Sequence, residues 1–171
     1  MKKGCRIGCG CMAVLLALFV VAFGIVHFVI LNWTEPDAVA SLPKKHLETL
    51  SEMIQLAEGR FLQADDVDLR HQKLFLMDGL QYVDGRSEDG ITSFTFGSTN
   101  LEGSIKLYHS PKGFEPVRKQ LNRIFGFADK ELPDVSEEGI RIDGIGMGQK
   151  GYVFYQMISP EWYLVDMYVP T

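Results

Sequence analysis

The chain is 171 residues long, enough for one domain with room for an appendage. Its charge is split: Lys2, Lys3, Arg6 and all three cysteines (Cys5, Cys9, Cys11) precede residue 32, whereas all 22 acidic residues follow it, against 14 basic ones, for a net −8. This excludes disulfide bracing of the later part and speaks against nucleic acid as a partner, because such a surface repels polyanions.

Residues 1–11 read as a short basic tail. Residues 12–31, MAVLLALFVVAFGIVHFVIL, form a run of twenty without formal charge, fourteen of them Leu, Ile, Val or Phe. As a helix this run is about 30 Å long, the thickness of a bilayer's hydrocarbon core, and those fourteen side chains favour insertion by roughly 4 to 8 kcal/mol. A single-pass signal-anchor is therefore predicted, with Trp33 at the interface. The basic tail holds the N-terminus in the cytoplasm and sends the rest to the periplasm or cell exterior. The alternative is secretion after cleavage at Ala40, in AVA (38–40), but a run of twenty exceeds the usual signal-peptide core. Cys9, Ala13 and Ala17 recur every four residues, a small-residue stripe through which two membrane helices could pair as a homodimer. The three cysteines lack the fourth ligand of a closed zinc site, so no metal is expected.

Residues 32–42 read as a tether, and 43–171 as the extracytoplasmic domain. A helix is predicted from Ser41 as cap, with Pro43 in its first turn and Leu47, Leu50, Ile54, Ala57 and Phe61 on one stripe. LQADDVDLRHQ (62–72) reads as a polar connection. Strands are predicted over 73–84, with a bend at Gly79, and over 91–96 and 104–109. A second helix follows in FEPVRKQLNRIFGF (114–127), with Val117, Leu121, Ile124 and Phe125 inward and Gly126 as its end. Three strands close the chain: 139–146, 151–158 and 162–169. The order α-βββ-α-βββ gives an α+β class, two helices on a mostly antiparallel sheet of about six strands. The halves repeat in element order without similarity of residues.

RIDGIGMGQKGYVF (141–154) contains a literal G-x-G-x-x-G at Gly146, Gly148 and Gly151. A dinucleotide fingerprint needs those glycines to open a helix. Here they open YVFYQMIS, which is strand material, and Lys150 is not followed by Ser or Thr as a P-loop requires. The string reads as a hairpin turn, and no cofactor is expected.

His46, His71 and His109 are scattered and form no metalloprotease motif. The acidic runs ADDVD and DGRSEDG miss the ligand spacing of a calcium loop. No catalytic residue is assigned. Arg118, Lys119 and Arg123 make a basic face on the second helix. Trp162, Tyr163 and Tyr168, with Tyr152 and Phe154, concentrate aromatic side chains in the last hairpin. If both helices cover one sheet face, these aromatics are open on the other, a surface for a protein partner or a small apolar ligand. The reading is a membrane-anchored, non-catalytic binding or interaction domain, within an envelope assembly. Two alternatives stand beside it. One is a hydrolase in which His71 or His109 comes within hydrogen-bond reach of a carboxylate such as Asp78, Asp143 or Asp166 in a concave site; the other is a structural module acting through its membrane helix.

Overall fold

The structure, a computed structural model, describes residues 17–19, 21, 35–87, 89–97, 103–126, 132–145 and 150–170. Residues 17–19 and 21 are helical, Ala17 among them; the rest of the expected span lies outside the described residues, with Cys9 and Ala13. No helix among the described residues is long and apolar enough to cross a membrane. The chain divides into two compact units, Met1–Asn32 and Trp33–Thr171. All elements named below belong to the second.

Three helical pieces open it: α1 (Pro36–Ala40), α2 (Leu42–Lys45) and α3 (Leu47–Leu56). They replace the single helix expected from Ser41. The Ser41 hydroxyl bonds back to the Ala38 carbonyl at 2.7 Å, closing α1, and His46 at φ −129 breaks the chain between α2 and α3. Val39 and Leu42 are already buried, so the packed unit reaches back into the expected tether. The inward stripe of α3 is Leu50 and Met53, continued by Ala57, while Leu47 is 56% exposed. Phe61 has left the helix for β1 (Phe61–Leu62), because Gly59 turns at φ +66 and its N–H bonds to Gly85.

The expected strand 73–84 is two elements. α4 (Leu69–Met77) starts at Asp68, whose Oδ1 accepts from the backbone N–H groups of Arg70 at 3.0 Å and His71 at 3.1 Å. Two donors of the first turn are thereby satisfied. Gly79 at φ +72 then swings the chain into β2 (Leu80–Asp84). β3 (Thr92–Gly97), β4 (Gly103–His109), α5 (Glu115–Phe125), β5 (Ile140–Ile145), β6 (Gly151–Ser159) and β7 (Trp162–Tyr168) follow within a residue or two of expectation. Gly126 ends α5 at φ +64, as its position implied.

Among the described residues the sheet has seven strands, ordered β1-β2-β3-β4-β7-β6-β5, with every neighbouring pair antiparallel. Two meanders are joined where β4 pairs with β7, Lys106 lying opposite Val165. Strand residues alternate between two buried layers. Phe94, Phe96, Ile105, Leu107, Trp162 and Leu164 pack with α1, α2, α3 and Leu74 of α4. Tyr108, Val153, Tyr155, Tyr163, Val165 and Met167 pack with Val117 and Leu121 of α5.

The helices therefore lie on opposite faces of the sheet, which overturns the premise that both cover one. It also separates the halves. A two-fold relation across the antiparallel pair β4 and β7 would run normal to the sheet and keep α3 and α5 on the same face. The repeat of element order is not a repeat of structure.

Candidate functional site

The glycine string resolves by its pairing. Ile145 pairs with Gly151 as β5 turns back into β6, so the string joins two antiparallel strands and opens no helix. Gly146 and Gly148 lie outside the described residues. At Gly151 a β-carbon would stand 2.5 Å from the carbonyl oxygens of both Ile145 and Tyr168. This glycine is required by the close approach of two backbones, a packing reason and not a phosphate-binding one.

The aromatic hairpin divides between the layers. Trp162 and Tyr163, expected on an open face, are 5% and 2% exposed and belong to opposite core layers. The rings of Phe94 and His109 pack at a tilt against Trp162, and that of Phe114 against Tyr163. The physical reason is the two-sided helical cover: neither face of β7 is left bare at this end. Tyr152, Phe154 and Tyr168 are half-buried on one face of the second meander. There the Tyr152 hydroxyl donates to Asp166 at 3.0 Å, and the Arg141 guanidinium lies over the Tyr152 ring at 3.9 Å. Burial raises the pKa of the Asp166 carboxyl, with the Tyr152 hydrogen bond and Arg141 opposing.

Each histidine lies beside a carboxylate, though beside others than Asp78, Asp143 and Asp166. His71 is buried, with Nδ1 2.6 Å from Asp68 and Nε2 2.9 Å from Glu52. The Arg70 guanidinium donates to the same Glu52 at 3.1 Å. This cluster ties the start of α4 to α3. The hydrogen bond from the His71 backbone N–H is the first of several that hold the Asp68 carboxyl below its ordinary range. His109 lies 3.5 Å from Glu161 and against Trp162. Burial lowers its pKa, and Glu161 opposes. Asp143 is taken by Arg141 at 2.9 Å. Burial raises the pKa of the Asp78 carboxyl, against His46 and Lys45.

A concave feature lies elsewhere. A cleft of about 450 Å³ opens between the β2–β3 connection and the flank of α5. One wall is Asp84, Arg86, Ser87 and Asp89; the other is Gln120 and Arg123; Ile91 and Ser93 also line it. The first wall is fixed by Gly85, packed so closely on α3's end that a β-carbon would sit 2.1 Å from the Ala57 carbonyl oxygen. Its N–H bonds to Arg60 at 2.9 Å.

Within the cleft, Asp84 and Arg86 neutralise each other. Arg86 donates through Nε at 2.8 Å and a terminal nitrogen at 2.7 Å, the two-pronged match of a guanidinium to a carboxylate. The Arg86 hydrogen bond holds Asp84 below its ordinary range despite partial burial, and Arg86 is raised in turn. Phe61 supports the guanidinium from one side at 5.2 Å. Asp89 and Arg123, by contrast, have no ion pair among the described residues. Gln120 carries its Oε1 buried and, among the described residues, unpaired, an arrangement that costs about 1–3 kcal/mol. On Ser93's cross-strand partner, Tyr108, the hydroxyl is also buried without a hydrogen-bond partner among the described residues, and burial raises its pKa strongly.

Arg123 is the one member of the expected basic helix face that borders the cleft. Lys119 points to solvent, and Arg118 is engaged by Glu115 at 3.3 Å and by Asp134. The two acidic runs also find local roles: Asp66 accepts from the Gln63 N–H at 2.7 Å, Asp68 caps α4, and Asp84 holds Arg86. Among the described residues no group of three or more His, Cys, Asp or Glu side chains is placed to hold a metal ion. Gln120 and Ser93 were missed from the sequence, where nothing distinguishes them from other polar residues of a helix flank and a strand.

Comparison with known proteins finds no matching family model, no similar curated protein and no similar solved structure.

Proposed function

We propose that the chain is a membrane-anchored, extracytoplasmic binding domain, and that the cleft between the β2–β3 connection and α5 takes a small polar ligand carrying both charges, a free amino acid or a peptide end. The observation that carries the reading is the pairing state, among the described residues, of the four charged side chains that line the cleft. Asp84 and Arg86 satisfy each other, leaving Asp89 to answer a cation and Arg123 an anion. Ligand sites are concave and hold a few such fixed polar groups. The earlier expectation of a small apolar ligand on Trp162 and Tyr163 gives way, because both are spent on the core.

The location rests on the sequence. Residues 12–31 supply the anchor, and the basic tail its orientation. Burial of Val39 supports an uncleaved anchor over cleavage at Ala40: a cut there would fall at the end of α1 and detach a side chain that is fully buried. Removing a buried valine costs roughly 1.5–3 kcal/mol of burial.

The test is thermal unfolding of the full chain in detergent against a panel of free amino acids and dipeptides. Zwitterionic members should raise Tm, since a ligand at one hundred times its Kd adds about 2.7 kcal/mol. Arg123→Ala and Asp89→Ala should each abolish the shift. A panel without effect, or a shift that survives the double substitution, contradicts the reading.

A further inference from the structure

We infer that the outer face of α4 rests on the surface of the bilayer that anchors the chain, an inference that itself depends on the membrane-anchor reading above. At 3.6 residues per turn, Leu69, Lys73, Leu76 and Met77 fall within an arc of about 100°. His71 and Leu74 point the other way, into the protein. Leu69, Leu76 and Met77 are 82%, 75% and 69% exposed, more than any other large apolar side chain among the described residues. The other long helices expose such residues less: α3 buries Leu50 and Met53 and leaves Leu47 56% exposed, and α5 buries Val117 and Leu121 and leaves Ile124 47% exposed.

Three observations select the occupant. Only residues 32–35 separate the apolar run from α1, and four residues reach at most about 14 Å. The domain is therefore held at the membrane surface whatever its tilt. Val39 of α1 and Leu74 of α4 share one buried layer, so the chain enters the domain on the same side of the sheet that carries α4. Lys73 lies inside the apolar arc, and Lys45 is close enough to Asp78, at the end of α4, to act on its carboxyl. Each lysine near anionic headgroups contributes about 1 kcal/mol, while its stem can lie along the apolar surface. Asp65, Asp66 and Asp68 gather at the other end of α4, which tilts the contact so that Leu76 and Met77 enter deepest.

A second copy of the chain fits less well. A nine-residue helix is about 13 Å long and 10 Å wide, far short of the roughly 800 Å² that each partner of a stable dimer buries.

The test uses the full chain, with Cys5, Cys9 and Cys11 changed to Ser, reconstituted into vesicles of phosphatidylcholine and phosphatidylglycerol. A fluorophore is placed through Met77→Cys, or through Lys119→Cys on the opposite face of the sheet, and quenched by nitroxide-bearing lipid. Leu76→Cys repeats the measurement where Met77→Cys folds poorly. Quenching several-fold stronger at 77 than at 119, and weakened by Lys73→Glu, is expected. Equal quenching, stronger quenching at 119, or a label at 77 shielded from water but untouched by the lipid nitroxide overturns the inference, the last indicating a second copy or a protein partner. A chain that floats with the vesicles yet shows no quenching at 77 defeats only the docking of α4. One that does not float defeats the anchor reading together with it.

Discussion

His109 is drawn two ways: burial against Trp162 disfavours its charge, while Glu161 favours it, and burial is the larger influence. Its folded pKa is therefore below the ordinary 6.5, so between the two values the unfolded chain binds the extra proton. By linkage, its contribution is whole above pH about 6.5 and is lost as pH falls from there through the folded value. Tm should decline on acidification in that window, and His109→Phe, which keeps an aromatic ring against Trp162, should flatten the decline. Asp166 has the opposite sign. Its raised pKa means the folded chain holds the proton more tightly, so the ionised group weighs against folding at neutral pH and ceases to do so as pH falls through its folded pKa. Asp166→Asn, which keeps an acceptor for Tyr152, should raise Tm at pH 7 and change it little in acid. A Tm lowered at pH 7 would show that Arg141 and Tyr152 outweigh burial there.

At the scale of elements, the sequence was clear where a single period ran unbroken. ITSFTF and SIKLYH alternate and are strands, and FEPVRKQLNRIF, with Pro116 early and Gly126 after, is a helix. It misled where apolar residues face outward. KLFLM looks like a strand apolar on both sides because Leu76 and Met77 point to solvent, so the 3.6-residue period of α4 was hidden. The stronger signal was local: Asp68 before an apolar run is a helix cap, and it lay in a stretch read as connection. The cleft was less legible still, because its two walls come from residues some 30 positions apart and only the opposite-face placement of α5 brings Arg123 beside the β2–β3 connection.

Two substitutions test the elements. Leu74→Ala removes α4's buried anchor and should cost about 2–5 kcal/mol. Gly151→Ala forces a methyl between two backbone carbonyls and should cost about 1–3 kcal/mol, even though the residue touches no ligand. Urea midpoints of the full chain in detergent measure both. A Gly151→Ala protein as stable as the parent would mean that β5, β6 and the chain after β7 are less tightly joined than they stand here.

For the molecule as a whole, the two buried layers take up Trp162 and Tyr163, while a charged cleft lies on one side of the sheet and the bare face of α4 on the other, the two surfaces for which we propose roles. Both roles depend on the domain lying outside the cell's cytoplasm on a short leash, with residues 12–31 in lipid. The most direct measurement is protease accessibility of an epitope placed after Thr171, in spheroplasts expressing the full chain, combined with an alkaline carbonate wash. The account predicts that external protease removes the epitope from intact spheroplasts and that the untreated protein stays in the washed membrane pellet. An epitope protected until lysis, or a protein released into the wash, would contradict it.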